Sequence, residues 1–194
     1  KGLEHDAVLV SGGTSVGTRD VVARVLDSMG PPGVLSHGLA VRPGKPAVLA
    51  VCRGKPVVAL PGHPVSAQVV YELVVRPLLL RLAGGGQPPP WEGRVRARVS
   101  WNLASAAGRE DYVRVALRPD GGELWADPLL GRSGAISTLV RADGLAVVPA
   151  PMEGVQRGDW VDVIVLGAGS RPREGGLGGA DRVVPAAREE AGEG

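Results

Sequence analysis

Apolar positions along this chain switch between an unbroken run, a helical spacing and a strict alternation, and each switch marks an element. Asp6-Ala-Val-Leu-Val10 is a short apolar run that stops at Ser11-Gly12-Gly13, as a buried strand does where it delivers a loop. Val21, Val22, Val25, Leu26 and Met29 then recur at helical spacing. Thr18 is a candidate cap for this helix, Asp20 suits its first turn, and Gly30-Pro31-Pro32 stops it. Val34 to Val41, Ala47 to Cys52 and Pro56 to Leu60 are rich in Val and Leu and predict strands, with a Pro43-Gly44-Lys45-Pro46 turn between the first two. A second helix follows Pro61-Gly62-His63-Pro64, because proline at a first helical position lacks an amide that would have no partner there. Val69, Val70, Leu73 and Val74 continue its apolar face, and Pro77 is expected to kink or end it before Leu78 to Leu82.

Gly84-Gly85-Gly86-Gln87-Pro88-Pro89-Pro90 supports neither helix nor ladder and divides the chain. Beyond it the period becomes two: Val95, Ala97, Val99; Tyr112 to Leu117; Leu124 to Asp127; Leu145 to Val148; Val161 to Val165. The expected organisation is an α/β part over residues 1–87, a small all-β domain over 88–167 and a disordered, Gly- and Ala-rich tail over 168–194.

Composition narrows the function more than the fold. Phenylalanine is absent and aromatics are 3%, so the core must be made of Val, Leu and Ala. The net charge of +2 is spread among acidic residues, which argues against the dense cationic stripe of a polynucleotide binder. One cysteine, Cys52, gives neither a disulfide pair nor a metal cluster. With no long apolar run and no signal-like amino terminus, the expectation is a cytoplasmic protein without a membrane partner. Only three of the 22 basic residues are lysines, Lys1, Lys45 and Lys55.

Three loops carry candidate chemistry. In Ser11-Gly12-Gly13-Thr14-Ser15-Val16-Gly17 the glycines let backbone amides converge before a helix amino end, an anion cradle to which Thr14 and Ser15 add hydroxyl donors. An unliganded strand-to-helix turn has the same composition. Arg42-Pro43-Gly44-Lys45-Pro46 holds two cations three residues apart on a stiff turn, suited to a doubly charged oxyanion, although basic turns of this kind are common on surfaces. Leu60-Pro61-Gly62-His63-Pro64-Val65-Ser66-Ala67 places a hydroxyl, Ser66, in the first turn of a helix. His63 reads as a turn-stabilising hydrogen-bonder before a proton carrier. Loops at the carboxy ends of strands share one sheet edge, so the three imply a single anion-binding cleft. Asp6 and Asp20 flank the cradle and are candidates for Mg²⁺. No nucleophile, base and acid set supports covalent acyl chemistry.

Taken in order, Asp6 to Asp20, Arg42 to Pro46 and Leu60 to Ala67, followed by Gly134 to Thr138 and Arg141-Ala-Asp-Gly-Leu145, closely resemble the molybdopterin molybdenumtransferases, the family that includes the gephyrin E domain. The resemblance covers residues 1 to about 167. It implies the carboxy-terminal part of a three-layer, molybdopterin-binding α/β domain followed by a β-barrel, in a homodimer. It also implies insertion of molybdate into adenylylated molybdopterin with Mg²⁺ during molybdenum-cofactor synthesis. By position it makes Ser11, Gly12, Gly13, Thr14, Ser15, Gly17 and Asp20 the cofactor loop. It gives Arg42, Lys45, Pro46, Ser66, Arg114 and Ser137 to molybdate, with Ser133 an alternative to Ser137, and assigns catalysis to Asp20, Lys45 and Ser66. Partners implied are a molybdopterin adenylyltransferase and recipient molybdoenzymes. The chain departs from the family at Arg42, where lysine is usual, and at His63 in the Pro-Gly turn. It begins near the middle of the family's α/β domain, so an exposed strand edge is expected. An adenylyltransferase-type enzyme and a non-catalytic scaffold of the same family are the rival readings.

Overall fold

The computed structural model describes residues 1–12, 19–85, 93–129, 131 and 136–167, and of Arg19, Asp20 and Ile136 the backbone alone. The expected tail and Gly13 to Thr18 of the cradle lie outside the described residues.

The first part is a sheet in the order β1 (Val8–Ser11), β5 (Lys55–Leu60), β4 (Val48–Cys52), β2 (Pro32–His37), with β1 and β5 parallel and the other pairs antiparallel. Period two sends the central strands into both faces. Val48, Ala50, Cys52, Val57 and Ala59 meet Leu26 and Val22 of α1 (Arg19–Ser28) on one side. On the other, Val58, Leu49 and Leu60 meet Val70, Val74, Val75 and Leu78 of a long helical stretch. Helix, sheet and helix give three layers, as the resemblance implies. β1 is an edge strand, and Leu9 on it is 44% exposed.

Two expectations for this part need correction. Val34 to Val41 is not one strand: β2 ends at His37, Gly38 turns the chain with a φ of 100°, and only Val41–Arg42 resumes as β3. Pro77 does not end the second helix. α2 (Pro64–Val70) passes into a π-helical stretch (Tyr71–Val75) and then α3 (Arg76–Leu82), and the Arg76 amide bonds the Tyr71 carbonyl five residues back. The widened turn just before Pro77 leaves room for its ring, so the helix continues.

The second part is a closed five-stranded barrel in the order β8 (Glu110–Asp120), β9 (Glu123–Pro128), β6 (Arg94–Val99), β12 (Trp160–Val165), β10 (Gly144–Val148), and back to β8. Val113, Val115, Leu117, Ala97, Val99, Ala146, Val148, Val161 and Val163 fill its interior. Each predicted strand is present. Two-residue strands β7 (Leu103–Ala104) and β11 (Gly154–Val155), and helix α4 (Ile136–Val140), are additions the alternation did not reveal.

Barrel and α/β layers are joined through a strand and through a packed face. β3 adds to the barrel sheet, parallel to β8, with Val41 beside Glu110 and Arg42 beside Asp111. On the outer face of the barrel, Tyr112, Leu145 and Val147 pack with Val69 and Leu73 of the long helical stretch.

The Arg141 to Leu145 motif proves architectural. The Asp143 carboxylate accepts the Leu117 amide at 2.9 Å, and its own amide donates to the Val115 carbonyl at 2.9 Å. A Cβ on Gly144 would collide with Val163 Cγ1 and stand 2.9 Å from the Ile164 carbonyl oxygen. Gly144→Ala is therefore expected to destabilise the protein by about 1–3 kcal/mol through overpacking of the β10–β12 pair, measured by urea denaturation; an unchanged midpoint would show that the strands separate freely.

Candidate functional site

The three loops come together, though not all by the route the sequence suggests. β1 and β5 run parallel, so Ser11-Gly12 and Pro61-Gly62 leave the same sheet edge. Gly12 has a φ of 88°, a conformation that favours glycine, and a Cβ on Gly62 would be 3.8 Å from the Gly12 Cα. The basic turn reaches that edge differently. It precedes β4, and because β4 is antiparallel to β5, its first residue Val48 pairs with Ala59 at the far end of β5. Gly44 then lies against α2, where a Cβ would be 3.0 Å from Val70 Cγ2 and 3.7 Å from the Ser66 carbonyl oxygen.

Ser66 is buried in the first turn of α2. Lys45 is exposed on the turn and has no ion pair among the described residues, while Pro46 beside it is half-buried. Arg42 is placed elsewhere than expected: its Nη2 is 2.5 Å from Oδ2 of buried Asp111. A carboxylate thus meets its charge, whereas Lys45, the other cation of the turn, is exposed.

From the barrel, Arg114 enters on the outer face of β8, in register with Leu145, which packs against Val69 one turn beyond Ser66. It is 8% exposed. One guanidinium nitrogen donates to Thr138 Oγ1 on α4, a helix that packs against α2, and the other donates to the Gly131 carbonyl at 2.8 Å. Neither partner is charged. Burial pulls the Arg114 guanidinium below its ordinary pKa, yet arginine keeps its proton in proteins. A buried cation held by neutral groups favours an anion beside it.

Other expected site residues fall outside this assembly. Ser137 is exposed on α4, and its neighbour Thr138, to which no role was given, is the residue that holds Arg114. The signal was present, since Thr138 closes the Gly134 to Thr138 motif. Asp6 precedes β1, at the strand end opposite the cradle, and sits 3.6 Å from Lys55 Nζ with a 93% exposed side chain. It is not a cradle residue. His63 is exposed at the amino cap of α2 and forms no side-chain cap; its carbonyl accepts the Ala67 amide at 2.9 Å. Ser11 ends β1 at the loop, and Asp20 is the second residue of α1, its side chain undescribed. No group of three or more His, Cys, Asp or Glu among the described residues could hold a metal ion.

Residues 1–81 match the family described as a probable molybdopterin binding domain, and residues 96–166 match the MoeA C-terminal region (domain IV). The chain belongs to the MoeA family. It is 34% identical over 164 residues to a putative molybdopterin biosynthesis protein of Methanocaldococcus jannaschii, covering 84% of this chain and 37% of that protein. It is 36% identical over 169 residues to molybdopterin molybdenumtransferase 1 of Mycobacterium tuberculosis, covering 83% and 39% respectively. Among solved structures, a MoeA protein of Pyrococcus horikoshii superposes with a TM-score of 0.68 at 35% identity, over 84% of this chain and 38% of that one. A molybdenum cofactor biosynthesis protein of Pyrococcus furiosus gives a TM-score of 0.62 at 29% identity, over 84% and 50%. This MoeA-family chain thus spans about two fifths of the length of the curated relatives it matches. No helix among its described residues is long and apolar enough to cross a membrane.

Proposed function

We propose that this chain supplies the oxyanion side of a molybdopterin molybdenumtransferase site. Lys45, Ser66 and Arg114 bind molybdate, Pro46 shapes the turn, and the Ser11 to Gly17 loop with Asp20 receives adenylylated molybdopterin. The observation that carries the reading is Arg114, a buried guanidinium whose hydrogen-bond partners among the described residues, Thr138 and the Gly131 carbonyl, are neutral. Fixed donors around an anion neutralise it in a water-poor site without reorganising. That is what molybdate needs as dithiolene sulfur replaces its oxygens, and the exchange requires no protein nucleophile. Mg²⁺ is a family expectation for which the described residues offer no ligand set, and no step is assigned to it.

Lys45→Ala and Ser66→Ala, made in the native gene product, are expected to lower molybdate-dependent cofactor formation by about tenfold to a hundredfold each while molybdopterin binding persists. The assay reconstitutes a molybdoenzyme from adenylylated molybdopterin and molybdate; full activity in both variants would reject the site. A folded wild-type protein that binds molybdopterin without transferring molybdenum would instead favour the scaffold. The same reading includes a homodimer that passes its product to a molybdoenzyme, and sedimentation of a monomer would remove the dimer from it.

A further inference from the structure

None of the proposed ligand roles uses the buried carboxylate of Asp111. It is 1% exposed and lies between two arginines, with Arg42 Nη2 2.5 Å from Oδ2 and Arg109 Nε 3.2 Å from Oδ1. The backbone brings it there, because β3 runs beside β8 with Arg42 and Asp111 in register, and the Glu110 amide donates to the Ala40 carbonyl at 3.0 Å. Arg42 also reaches the Ala104 carbonyl at 3.4 Å. Three residues on, Lys45 rides a turn closed on itself: the Leu39 amide donates to the Lys45 carbonyl at 2.9 Å, and the Ala47 amide to the Gly44 carbonyl at 3.3 Å. Gly44 is pressed on Val70 and Val41 too closely for ordinary side-chain contact.

The turn is thus fixed from below by α2 and at its start by an ion pair from the other domain. Each arginine meets the carboxylate through one nitrogen: Arg109 Nε donates a hydrogen bond to Oδ1, and Arg42 faces Oδ2 as an ion pair, that oxygen accepting no hydrogen bond among the described residues, so charge attraction in a buried setting is what holds Arg42 there. We propose that Asp111 is a positioning residue for Lys45: by holding Arg42 from the barrel, it sets where the turn presents its ammonium group. Arg42 then serves as a strut and not as an oxyanion ligand. This rests on reading Lys45 as a molybdate ligand, and one arm of the test below does not depend on that reading.

Asp111→Asn, Arg42→Gln and the double variant would be compared with wild type by amide hydrogen exchange and by the molybdate dependence of cofactor formation. Arg42 is half-exposed, so Arg42→Gln keeps the comparison possible if Asp111→Asn fails to fold. The expected result is exchange roughly tenfold faster at Leu39 and Ala47 in each single variant, with Val57 and Val58 of β5 unchanged. The double variant should be no worse than either single, because the two residues act as one unit. Half-saturation by molybdate should rise roughly tenfold with the maximal rate retained. Unchanged exchange in Arg42→Gln, or strictly additive effects, would overturn the strut. So would a loss of molybdate dependence in Arg42→Gln together with tighter binding in Asp111→Asn, since that pattern marks Arg42 as a ligand competing with its acid. Faster exchange with no molybdate response in any form, wild type included, would keep the strut and reject the transferase reading.

Discussion

Replacing Arg114 with alanine is expected to lower molybdate-dependent cofactor formation by about a hundredfold to a thousandfold, the largest effect of any single residue in the site. Two features set the size. The guanidinium is buried, so its interaction with a dianion is weakly screened, and it is already aimed by Thr138 and the Gly131 carbonyl, so little ordering is needed when the anion arrives. Arg114→Lys should recover only a small part of the rate, because an ammonium cannot reach Thr138, Gly131 and an oxyanion together. Thr138→Val separates aim from charge: it keeps the cation, removes one partner, and should raise half-saturation by molybdate more than it lowers the maximal rate. The measurement is reconstitution of a molybdoenzyme across a molybdate titration. Near-wild-type activity in Arg114→Ala would remove the barrel from the site.

The second large effect concerns stability. Leu145 is fully buried on the outer face of β10, where it meets Val69 of α2 and Tyr112 of β8. Leu145→Ala should cost about 2–5 kcal/mol, since neither the closed barrel nor the long helical stretch can move to fill the space left between them. Guanidinium denaturation would show a lower midpoint. A drop below about 1 kcal/mol would mean that this junction is loosely packed in solution.

Both effects arise at the junction between the parts, the region least legible in the sequence. The Val- and Leu-rich runs Val48 to Cys52 and Val57 to Leu60, and the helical spacing of Val22 and Leu26, reflect contacts each segment makes with its nearest layer, so the α/β core could be read directly. The barrel strands were readable for the same reason. Pairing between Arg42 and Asp111 spans 69 residues of sequence and leaves no periodic trace, which is why Arg42 looked like a free cation. Thr138 was hidden because α4 is only five residues long, too short to show a period. Asp6 was misplaced because a carboxylate before a strand and a carboxylate after one look alike until the strand's direction in the sheet is known. The antiparallel setting of β4 brought the basic turn to the sheet edge that Pro61-Gly62 leaves, by a rule that the loop's own residues do not contain.

β3 has only two residues, yet it belongs by sequence to the α/β part and by hydrogen bonding to the barrel. The covalent link between Leu82 and Arg94 is therefore not what couples the two parts. A peptide bond cut in that link would leave halves still clasped through β3 and the Val69, Tyr112, Leu145 contact, able to reassemble as a split protein does. Evolution can accordingly vary the link without disturbing how the part that carries Lys45 is registered on the part that carries Arg114, whereas a change of register at β3 would shift one against the other.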